Sequence, residues 1–392
     1  MTLAERARDS VLNLARDLIA CASVTPEDGG ALDLIGDRLS KLGFVCERMD
    51  RGGVKNLWAR RGAASPLFCF AGHVDVVPPG PLAQWRSPPF TPTIRDGFLY
   101  GRGAADMKSS VAAMMVAAEN FLRDAPEIAG SLAFLLTSDE EGDARDGTAA
   151  VVERLRQRGE RIDFCLVGEP TSAQTLGDMV KNGRRGSLSG KLVVFGVQSH
   201  IAYPVPGRNP VLQLAPALAE LSAAKWDCGN ADFPPTSWQV SNIHAGAGAG
   251  NVVPGSVELC FNFRFSPESD PESLQARFAA ALEKHGVKDY RLEWTLGARP
   301  FFTSRGRLAE AMEDVLLDVT GQKTEFSATG GTSDGRFLVE ISQELLEFGP
   351  VNASSHQIDE HIALTDLPRL SEIYRGLLRK LFLPDTGNND DK

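Results

Sequence analysis

The sequence has 392 residues, of which 43% are hydrophobic and 23% charged, and its formal net charge is -10 at pH 7. A chain of this length exceeds a usual single core, so we expect two domains. The acidic excess argues against a nucleic-acid partner, which needs a basic surface, and no apolar run approaches the length of a membrane span, so no membrane contact is expected.

The N-terminal part of the chain has helical patterns followed by extended ones. Apolar residues at helical spacing predict amphipathic helices over residues 3–20 and 32–42. The composition of residues 54–60 indicates a strand, and a hairpin turning at Asp96 and Gly97 is expected further along.

The apolar run 67–70 predicts a buried strand, and polar residues of metal-binding type follow it directly. Residues two apart in extended chain point the same way, so His73 and Asp75 project together from the strand's carboxyl end, where open α/β sheets place their ligands. His73 is therefore a candidate metal ligand, with Asp75 orienting its imidazole. The alternative is a partly buried histidine beside a turn aspartate.

A glycine-rich bend, GRGAADMK, leads into a long apolar helix predicted over residues 109–122. The bend lacks the GxGxxG and P-loop patterns, so we exclude a phosphate site. Its small residues allow a tight backbone that carries Asp106 to a central position at the start of the helix. The alternative interpretation makes Asp106 only the N-cap of that helix.

Two further predicted strands end in acidic residues. The strand 132–136 precedes the adjacent Glu140 and Glu141, and the strand 163–167 precedes Glu169. Adjacent glutamates at a buried strand end are costly unless they are solvated or bind a ligand, and a solvated loop is the alternative here. Alternating strands and helices predict an α/β fold whose mostly parallel sheet is flanked by helices.

Beyond Gly183 the pattern changes to strand, helix, strand, strand, helix and strand, including a long strand over residues 251–265. This order is typical of the split βαβ, ferredoxin-like α+β arrangement and predicts an inserted domain. The predicted domains are a ligand-bearing domain and an insertion, of residues 1–183 with 297–392 and residues 184–296. We expect no fixed structure in the polar tail 386–392.

The late part of the chain adds His356 and completes the composition of a two-metal hydrolytic site. Such a site needs a bridging carboxylate, terminal ligands on each ion and an acid/base group. In the predicted assignment Asp106 bridges the two ions. His73 and Glu169 complete one ion, and Glu141 and His356 complete the other. Glu140 is then placed to take a proton from water and return it to the leaving amine.

Several blocks of the sequence resemble those of one known family. Similarity to the di-zinc aminoacylase and carboxypeptidase-type metallopeptidases extends in order over nearly the full chain, through HVDVVPPG, GRGAADMK, TSDEEG, VGEPTS and GPVNASSH. The resemblance implies two Zn²⁺ per subunit, which Co²⁺ can replace, on the five ligands named above, with Asp75 behind His73 and Glu140 as general acid/base.

The resemblance also implies that the inserted domain forms a homodimer. It further implies that His200 reaches the active site of the partner subunit and stabilises the oxyanion, as a neutral imidazole can. The alternative is that His200 is an ordinary surface histidine.

Four further blocks are similar to one member of that family, whose small-molecule substrate is an N-acyl amide with several carboxylates: KNGRRGSLSG, QSHIAYP, GAGAGNVVPGSVELCFNFRFS and TGGTSDGRF. Arginines are expected to bind such carboxylates in bidentate geometry. The candidate arginines are Arg184 and Arg264, and their expected polar partners are Tyr203, Asn251, Thr332 and Asn352. The alternative is that the two arginines are solvated or cross-strand charges, and the role of Arg336 stays open.

The sequence therefore predicts a metal-dependent amidohydrolase. The rival hypotheses are a related N-acyl amino acid deacylase with a different acyl pocket, and a metal-free binding protein with the same fold. The six cysteines are scattered without a C-x-x-C pair, and the N-terminus lacks an apolar signal segment. The scattered cysteines predict buried free thiols in a reducing compartment. Together with the missing signal segment, they predict a cytoplasmic location.

Overall fold

The computed structural model describes residues 3–203, 208–246 and 248–383, with side chains from Ser10 onward. The predicted polar tail lies outside the described residues. Internal contacts divide the chain into two compact units. Unit 1 comprises the chain up to Asn182, Thr303–Ser327 and the residues from Ser333, and unit 2 comprises Gly183–Phe302 and Ala328–Thr332. The domain boundaries drawn from the sequence stay a prediction.

The described helices and strands follow the predicted order closely. The helices are α1 (Leu3–Ala20), α2 (Ala31–Lys41), α3 (Lys108–Asp124), α4 (Thr148–Gln157), α5 (Pro210–Ala223), α6 (Pro271–Lys284), α7 (Arg307–Thr320), α8 (Gly335–Leu338) and α9 (Asp366–Phe382), with short 3-10 turns at Leu82–Gln84 and Asn352–Ser354. The strands are β1 (Val45–Arg48), β2 (Asn56–Arg61), β3 (Leu67–His73), β4 (Thr93–Arg95), β5 (Phe98–Tyr100), β6 (Ser131–Thr137), β7 (Ile162–Val167), β8 (Met179–Lys181), β9 (Gly183–Arg184), β10 (Gly186–Phe195), β11 (Ser199–His200), β12 (Ser237–Ala245), β13 (Val252–Val253), β14 (Ser256–Phe265), β15 (Tyr290–Ala298), β16 (Phe301–Phe302), β17 (Glu325–Ser327), β18 (Ser342–Glu347) and β19 (His361–Ala363).

Unit 1 is built on an eight-stranded sheet in the order β1-β2-β6-β3-β7-β18-β8-β17. The four central strands β6, β3, β7 and β18 run parallel to one another, and β1 and β2 add an antiparallel edge. Every residue of β3 and β6 is buried, as expected for central strands covered on both faces. The prediction of an α/β fold with a mostly parallel sheet flanked by helices is confirmed.

The core of unit 1 joins the sheet to three packed helices, α1, α3 and α9. The ring of Phe70 on β3 contacts Phe134 on β6 and Tyr374 on α9, at centroid distances of 5.4 and 5.6 Å. Helix α3 is apolar and buried along nearly its whole length, which is typical of a helix enclosed by other elements. This core fixes the carboxyl ends of the central strands.

A small three-stranded sheet, β19-β5-β4, brings a late segment of the chain beside an early one. The predicted turn of its hairpin is confirmed, because Asp96 and Gly97 have φ angles of 50° and 82°. Residue His361 of β19 pairs with Tyr100 of β5. The loop that precedes β19 therefore lies next to the glycine-rich bend that follows β5.

Unit 2 contains a four-stranded antiparallel sheet in the order β12-β14-β10-β15. Helices α5 and α6 share with it a second apolar core, in which Phe261 and Phe278 stack at a centroid distance of 4.4 Å. The predicted long strand over residues 251–265 is wrong, because β13 and β14 are separate strands. Pro254 lies between them, and a proline cannot donate the hydrogen bond that a continuous ladder requires.

All six cysteines are free thiols, but the prediction that they are buried is only partly right. Cys69 and Cys165 are buried on neighbouring strands, whereas Cys228 is exposed. Within residues 3–203, 208–246 and 248–383, no helix combines the length and the apolar character that crossing a bilayer requires.

Candidate metal centre

The three strands that carry predicted ligands are neighbours in the sheet of unit 1. In the parallel register His73 pairs with Thr137 of β6, and Ala71 pairs with Val167 of β7. The carboxyl ends of β6, β3 and β7 therefore meet at one edge. Because Glu140, Glu141 and Glu169 follow these ends within a few residues, the sheet brings them to His73.

Asp106 lies between two imidazoles. Its Oδ1 is 3.3 Å from Nε2 of His73, and its Oδ2 is 3.3 Å from Nε2 of His356. Burial alone would raise the pKa of Asp106, but the facing imidazoles of His356 and His73 hold it well below its usual range. One carboxylate that faces a different imidazole with each oxygen has the arrangement expected of a bridging ligand.

The interpretation of Asp106 as a helix N-cap is wrong. Helix α3 begins at Lys108, its N-cap residue is Met107, and no side chain caps it. The carboxylate of Asp106 instead points at the two histidines, which are residues that metal sites use.

His73 is fully buried and has its two ring nitrogens in different roles. Its Nδ1 donates to the backbone carbonyl of Asp75 at 2.9 Å, since a carbonyl can only accept. Its Nε2 faces Asp106 and lies 3.7 Å from Oε1 of Glu169. Burial would lower the pKa of His73, but the carboxylates of Asp106, Glu140, Asp75 and Glu169 raise it well above its usual range.

Asp75 is placed behind His73, but its carboxylate has a different main contact from the predicted one. The carboxylate is 3.7 Å from Nδ1 of His73, farther than the backbone carbonyl. It accepts hydrogen bonds from the backbone N–H groups of Glu140 at 3.4 Å and Glu141 at 3.1 Å. Asp75 therefore positions the two glutamates as well as the histidine.

His356 faces the other side of Asp106. Its Nε2 is 2.8 Å from Oε1 of Glu141, and the hydrogen bonds to Asp106 and Glu141 raise the pKa of His356 to about 10. Its side chain is 51% exposed. This half of the cluster is therefore open to solvent, whereas His73 lies at the buried end.

Glu140 is part of the cluster without facing His356. Its carboxylate groups with His73 and Glu169, with the ligand-type atoms within 4.8 Å of one another. Burial and the neighbouring charge of Glu169 raise the pKa of Glu140 well above its usual range. A carboxyl group with a raised pKa in a cluster of this kind can act as a general acid/base near neutral pH.

The cluster fits divalent metal ions on two counts. Nε2 of His73 and Oδ1 of Asp106 are buried, and neither makes a well-formed hydrogen bond among the described residues. His73, Asp106 and Glu141 also hold their ligand-type atoms within 4.8 Å of one another. Imidazole nitrogens with carboxylate oxygens are a donor set that suits Zn²⁺ and related ions.

The predicted substrate-binding residues fall mostly in unit 2, while Asn352 lies in unit 1. Arg184 is buried on β9 and donates to the carbonyl of Thr329 at 3.4 Å. His200 and Tyr203 have ring centroids 5.4 Å apart, and Tyr203 is 74% exposed. Their predicted roles, with those of Asn251, Arg264, Thr332 and Asn352, stay predictions.

Sequence reasoning did not select Arg185 or Asp334, which the structure singles out. Nε of Arg185 is buried without a hydrogen-bond partner among the described residues, and so is Nη1 of Arg264, which the sequence had selected. Burial lowers the pKa of Arg264, and the charge of Arg185 adds to this effect. Asp334 of unit 1 is buried too, which raises its pKa to about 6. The signal for Asp334 was its place in the matching block TGGTSDGRF.

A family model described as Peptidase family M20/M25/M40 matches residues 69–380. The chain belongs to this family. Membership in a peptidase family confirms the prediction of a hydrolase. The resemblance that the sequence blocks indicated is also confirmed.

Relatives and solved structures agree with this assignment. A curated succinyl-diaminopimelate desuccinylase from Dechloromonas aromatica is 64% identical over 373 residues, which cover 95% of this chain and 99% of that protein. The structure of an M20 family metallo-carboxypeptidase from Sulfolobus solfataricus matches with a TM-score of 0.80 at 18% identity, covering 95% and 99% of the two chains. A dinuclear metal-binding M20 peptidase from Bacillus subtilis matches with a TM-score of 0.71 at 14% identity, covering 95% and 98%.

Proposed function

We propose that this protein is a zinc-dependent amidohydrolase that cleaves N-succinyl-L,L-2,6-diaminopimelate into succinate and L,L-diaminopimelate, a step of diaminopimelate and lysine biosynthesis. The observation that carries the chemistry is Asp106 held between the imidazoles of His73 and His356. The substrate is proposed from the 64% identity to a desuccinylase over nearly the full chain.

Two Zn²⁺ ions would share Asp106, one completed by His73 and Glu169 and the other by Glu141 and His356. When bound, such a pair supplies Lewis-acid chemistry toward the amide carbonyl and toward water, and Co²⁺ could take the same donors. The protein's own contribution is to hold the metal ligands in place. Because His73 Nδ1 donates its hydrogen to the backbone carbonyl of Asp75, Nε2 is the nitrogen left to bind a metal ion.

Glu140 moves the proton. As the oxygen of water attacks the amide carbonyl carbon, the carboxylate of Glu140 accepts a proton from that water. When the C–N bond breaks, Glu140 delivers the proton to the nitrogen of the leaving amine and returns to its carboxylate form. Its backbone N–H donates to Asp75, which helps to keep it beside His73 and Glu169.

His200 would donate to the carbonyl oxygen as negative charge develops there. Its Nδ1 accepts a hydrogen bond from the backbone N–H of Ala202 at 3.1 Å. An imidazole that accepts at Nδ1 carries its proton at Nε2 and can donate from that atom. We place this residue in the active site of the partner subunit, so the proposal needs a homodimer.

The homodimer is proposed to form through unit 2. Strand β12 is an edge strand of its sheet, and it is exposed along most of its length, with Ile243 52% exposed. An exposed, partly apolar edge can pair with the edge of a second copy.

The protein is proposed to be cytoplasmic. The free thiols agree with this location.

The carboxylates of the substrate would bind to arginines of unit 2. Nε of Arg185 and Nη1 of Arg264, which have no hydrogen-bond partner among the described residues, need an acceptor, and carboxylate oxygens can accept from both guanidinium groups. Arg184 would assist, with Tyr203, Asn251, Thr332 and Asn352 as polar partners. The site would thus select an acyl group that ends in a carboxylate.

The experiment that tests this function is a zinc titration of the purified protein combined with a substrate panel. We expect two zinc ions per chain and faster hydrolysis of succinylated than of acetylated diamino acids. A preference for acetyl groups would discard the proposed specificity in favour of a related deacylase. An absence of both zinc binding and hydrolysis would instead favour a binding protein with the same fold.

A further inference from the structure

A buried carboxylate outside the proposed ligand set organises the bend that carries Asp106. Glu360 is fully buried, and its side chain accepts four hydrogen bonds. Oε1 accepts from the backbone N–H groups of Ala105 and Asp106, both at 2.9 Å. Oε2 accepts from the backbone N–H of Gly103 at 2.9 Å and from Nη1 of Arg102 at 2.8 Å. The carboxylate therefore fixes the backbone up to the bridging ligand.

Arg102 extends the same network to the other histidine. Its Nη1 also donates to the carbonyl of Gln357 at 3.1 Å, and its Nη2 donates to the carbonyl of His356 at 3.4 Å. The side chain of Arg102 is only 2% exposed. The pairing of β19 with β5 brings the two loops together, and the buried ion pair then connects them.

The loop that carries His356 needs such support. His356 has a φ of 62° and Asp359 a φ of 59°. A residue other than glycine in this left-handed region is strained, and it persists only where the surroundings hold it. The bonds from Arg102 to two carbonyls of this loop are such a constraint.

We propose that the Arg102–Glu360 pair is a positioning device that sets the distance between Asp106 and His356 and thereby the affinity for one of the two metal ions. This inference rests on the proposed two-metal function. Replacing a buried ion pair by apolar residues is often neutral or favourable for stability. The described side-chain hydrogen bonds of this pair all join residues of the two ligand-bearing loops, which suits positioning of the ligands.

The device acts unequally on the two ions. The ion of Glu141 and His356 depends on two residues of the connected loops, because Asp106 bridges. The ion of His73 and Glu169 depends on the connected loops through Asp106 alone, since His73 is the last residue of β3 and Glu169 follows β7. Loss of the network should therefore weaken one ion more than the other.

The decisive experiment is a zinc titration of Glu360→Gln against a chromophoric chelator. The amide cannot accept with its nitrogen, so two of the four donors lose the acceptor that residue 360 supplies. Partners behind metal ligands typically contribute about 10- to 100-fold in metal affinity. We therefore expect one dissociation constant to rise by about that factor and the other to change by less than about threefold.

A second variant and a matched control complete the design. Arg102→Lys keeps a cation beside Glu360 but loses the second arm toward the carbonyl of His356, so it should weaken the same ion. Asp227→Asn is the control, because Asp227 is a carboxylate of unit 2 that also accepts several hydrogen bonds. It should lower the melting temperature and leave both zinc constants unchanged.

The outcomes separate this inference from the proposed function. A wild-type protein that binds no zinc would overturn the proposed function itself. Two zinc ions in the wild type with unchanged constants in Glu360→Gln would overturn only the positioning role. If Glu360→Gln does not fold, Arg102→Lys decides by the same criterion.

Discussion

The sheets of the two units bury their strands differently. In unit 1 all seven residues of β3 and all seven of β6 are buried. In unit 2 the ten residues of β14 alternate between buried and partly exposed positions. A strand covered on both faces has no solvated position for a polar side chain, whereas an alternating strand has one at every second residue. The polar residues of these two strands, His73, Ser131 and Thr137, therefore lie at the strand ends.

The difference also decides what a carboxylate does in each unit. At the strand ends of unit 1 carboxylates are crowded and desolvated, and burial with a neighbouring charge raises the pKa of Glu140. In unit 2 Asp227 accepts bonds from backbone and hydroxyl groups, and those from Ser269 and Thr236 lower its pKa despite partial burial. We infer that the first kind serves chemistry and the second serves stability.

The largest effect is expected for Glu140→Gln. The amide cannot accept a proton, so turnover should fall by about 10²- to 10⁴-fold, while two zinc ions remain bound. Steady-state kinetics and elemental analysis of the same sample check both parts. Glu141→Gln is the control in the adjacent residue, and it should lose zinc. Near-normal turnover of Glu140→Gln would refute the comparison, since the crowded carboxylate would then serve no chemistry.

The next effect tests whether unit 2 takes part in chemistry at all. His200→Ala should lower turnover by about 10²-fold or more, as expected for the loss of an oxyanion donor, with unchanged zinc content. An unchanged rate would remove His200 from the site.

A complementation experiment tests whether His200 of one subunit acts in the active site of the other. In a refolded mixture of the His200→Ala and Glu140→Gln chains, mixed dimers have one site with both intact residues. If His200 acts across the dimer, activity should recover to about a quarter of the wild type, because half of the dimers are mixed. No recovery would place His200 in its own subunit's site.

A smaller effect is expected for Arg264→Lys. Lysine keeps the charge but loses the fork that binds a carboxylate with two bonds. Loss of about 1.4 kcal/mol corresponds to a tenfold higher KM for the succinylated substrate, with little change in kcat. The matched control is Arg291→Lys, because Arg291 is an exposed strand arginine paired with Glu293. A KM that rises equally in both variants would argue against a specific carboxylate contact.

Local pattern predicted the strand ends well. Buried runs followed by ligand-type residues pointed to His73, Glu140 and Glu169, because alternating strands and helices imply parallel strands whose carboxyl ends lie at one edge of the sheet. The break between β13 and β14 was also visible in the sequence as Pro254, although the hydrophobic pattern outweighed it.

Long-range contacts could not be read from the sequence. The bend before α3 takes its shape from Glu360, more than 250 residues later, so neither interpretation of Asp106 could be excluded locally. The bonds from Glu140 and Glu141 to Asp75 depend on the register of two strands. The adjacent residues Arg184 and Arg185 have different partners, the carbonyl of Thr329 and the hydroxyl of Ser237, and both partners are far along the chain.

The smallest effect on activity, and the clearest on stability, is expected for Asp227→Asn. The carboxylate accepts bonds from the backbone N–H groups of Gly229 and Thr236 and from the hydroxyl groups of Thr236, Ser266 and Ser269. A hydrogen bond to a charged group contributes about 1.5 to 3 kcal/mol to the free energy of unfolding. Asp227 is only partly buried, so each of its bonds contributes less than this value. We expect the free energy of unfolding to fall by about 1.5 to 3 kcal/mol in total, with kcat and KM unchanged.

The pH dependence of this loss has a defined sign. Because the pKa of Asp227 is lower in the folded chain than its ordinary 3.8, the carboxylate stabilises the fold fully above that value. The contribution disappears as the pH falls through the folded pKa, since both states are then protonated. Urea unfolding of the wild type and of Asp227→Asn at pH 7, 5 and 3 should show equal differences at the first two and a smaller one at pH 3. A difference that stays constant down to pH 3 would mean that the charge of Asp227 is not what stabilises unit 2, and its contrast with Glu140 would then rest on burial alone.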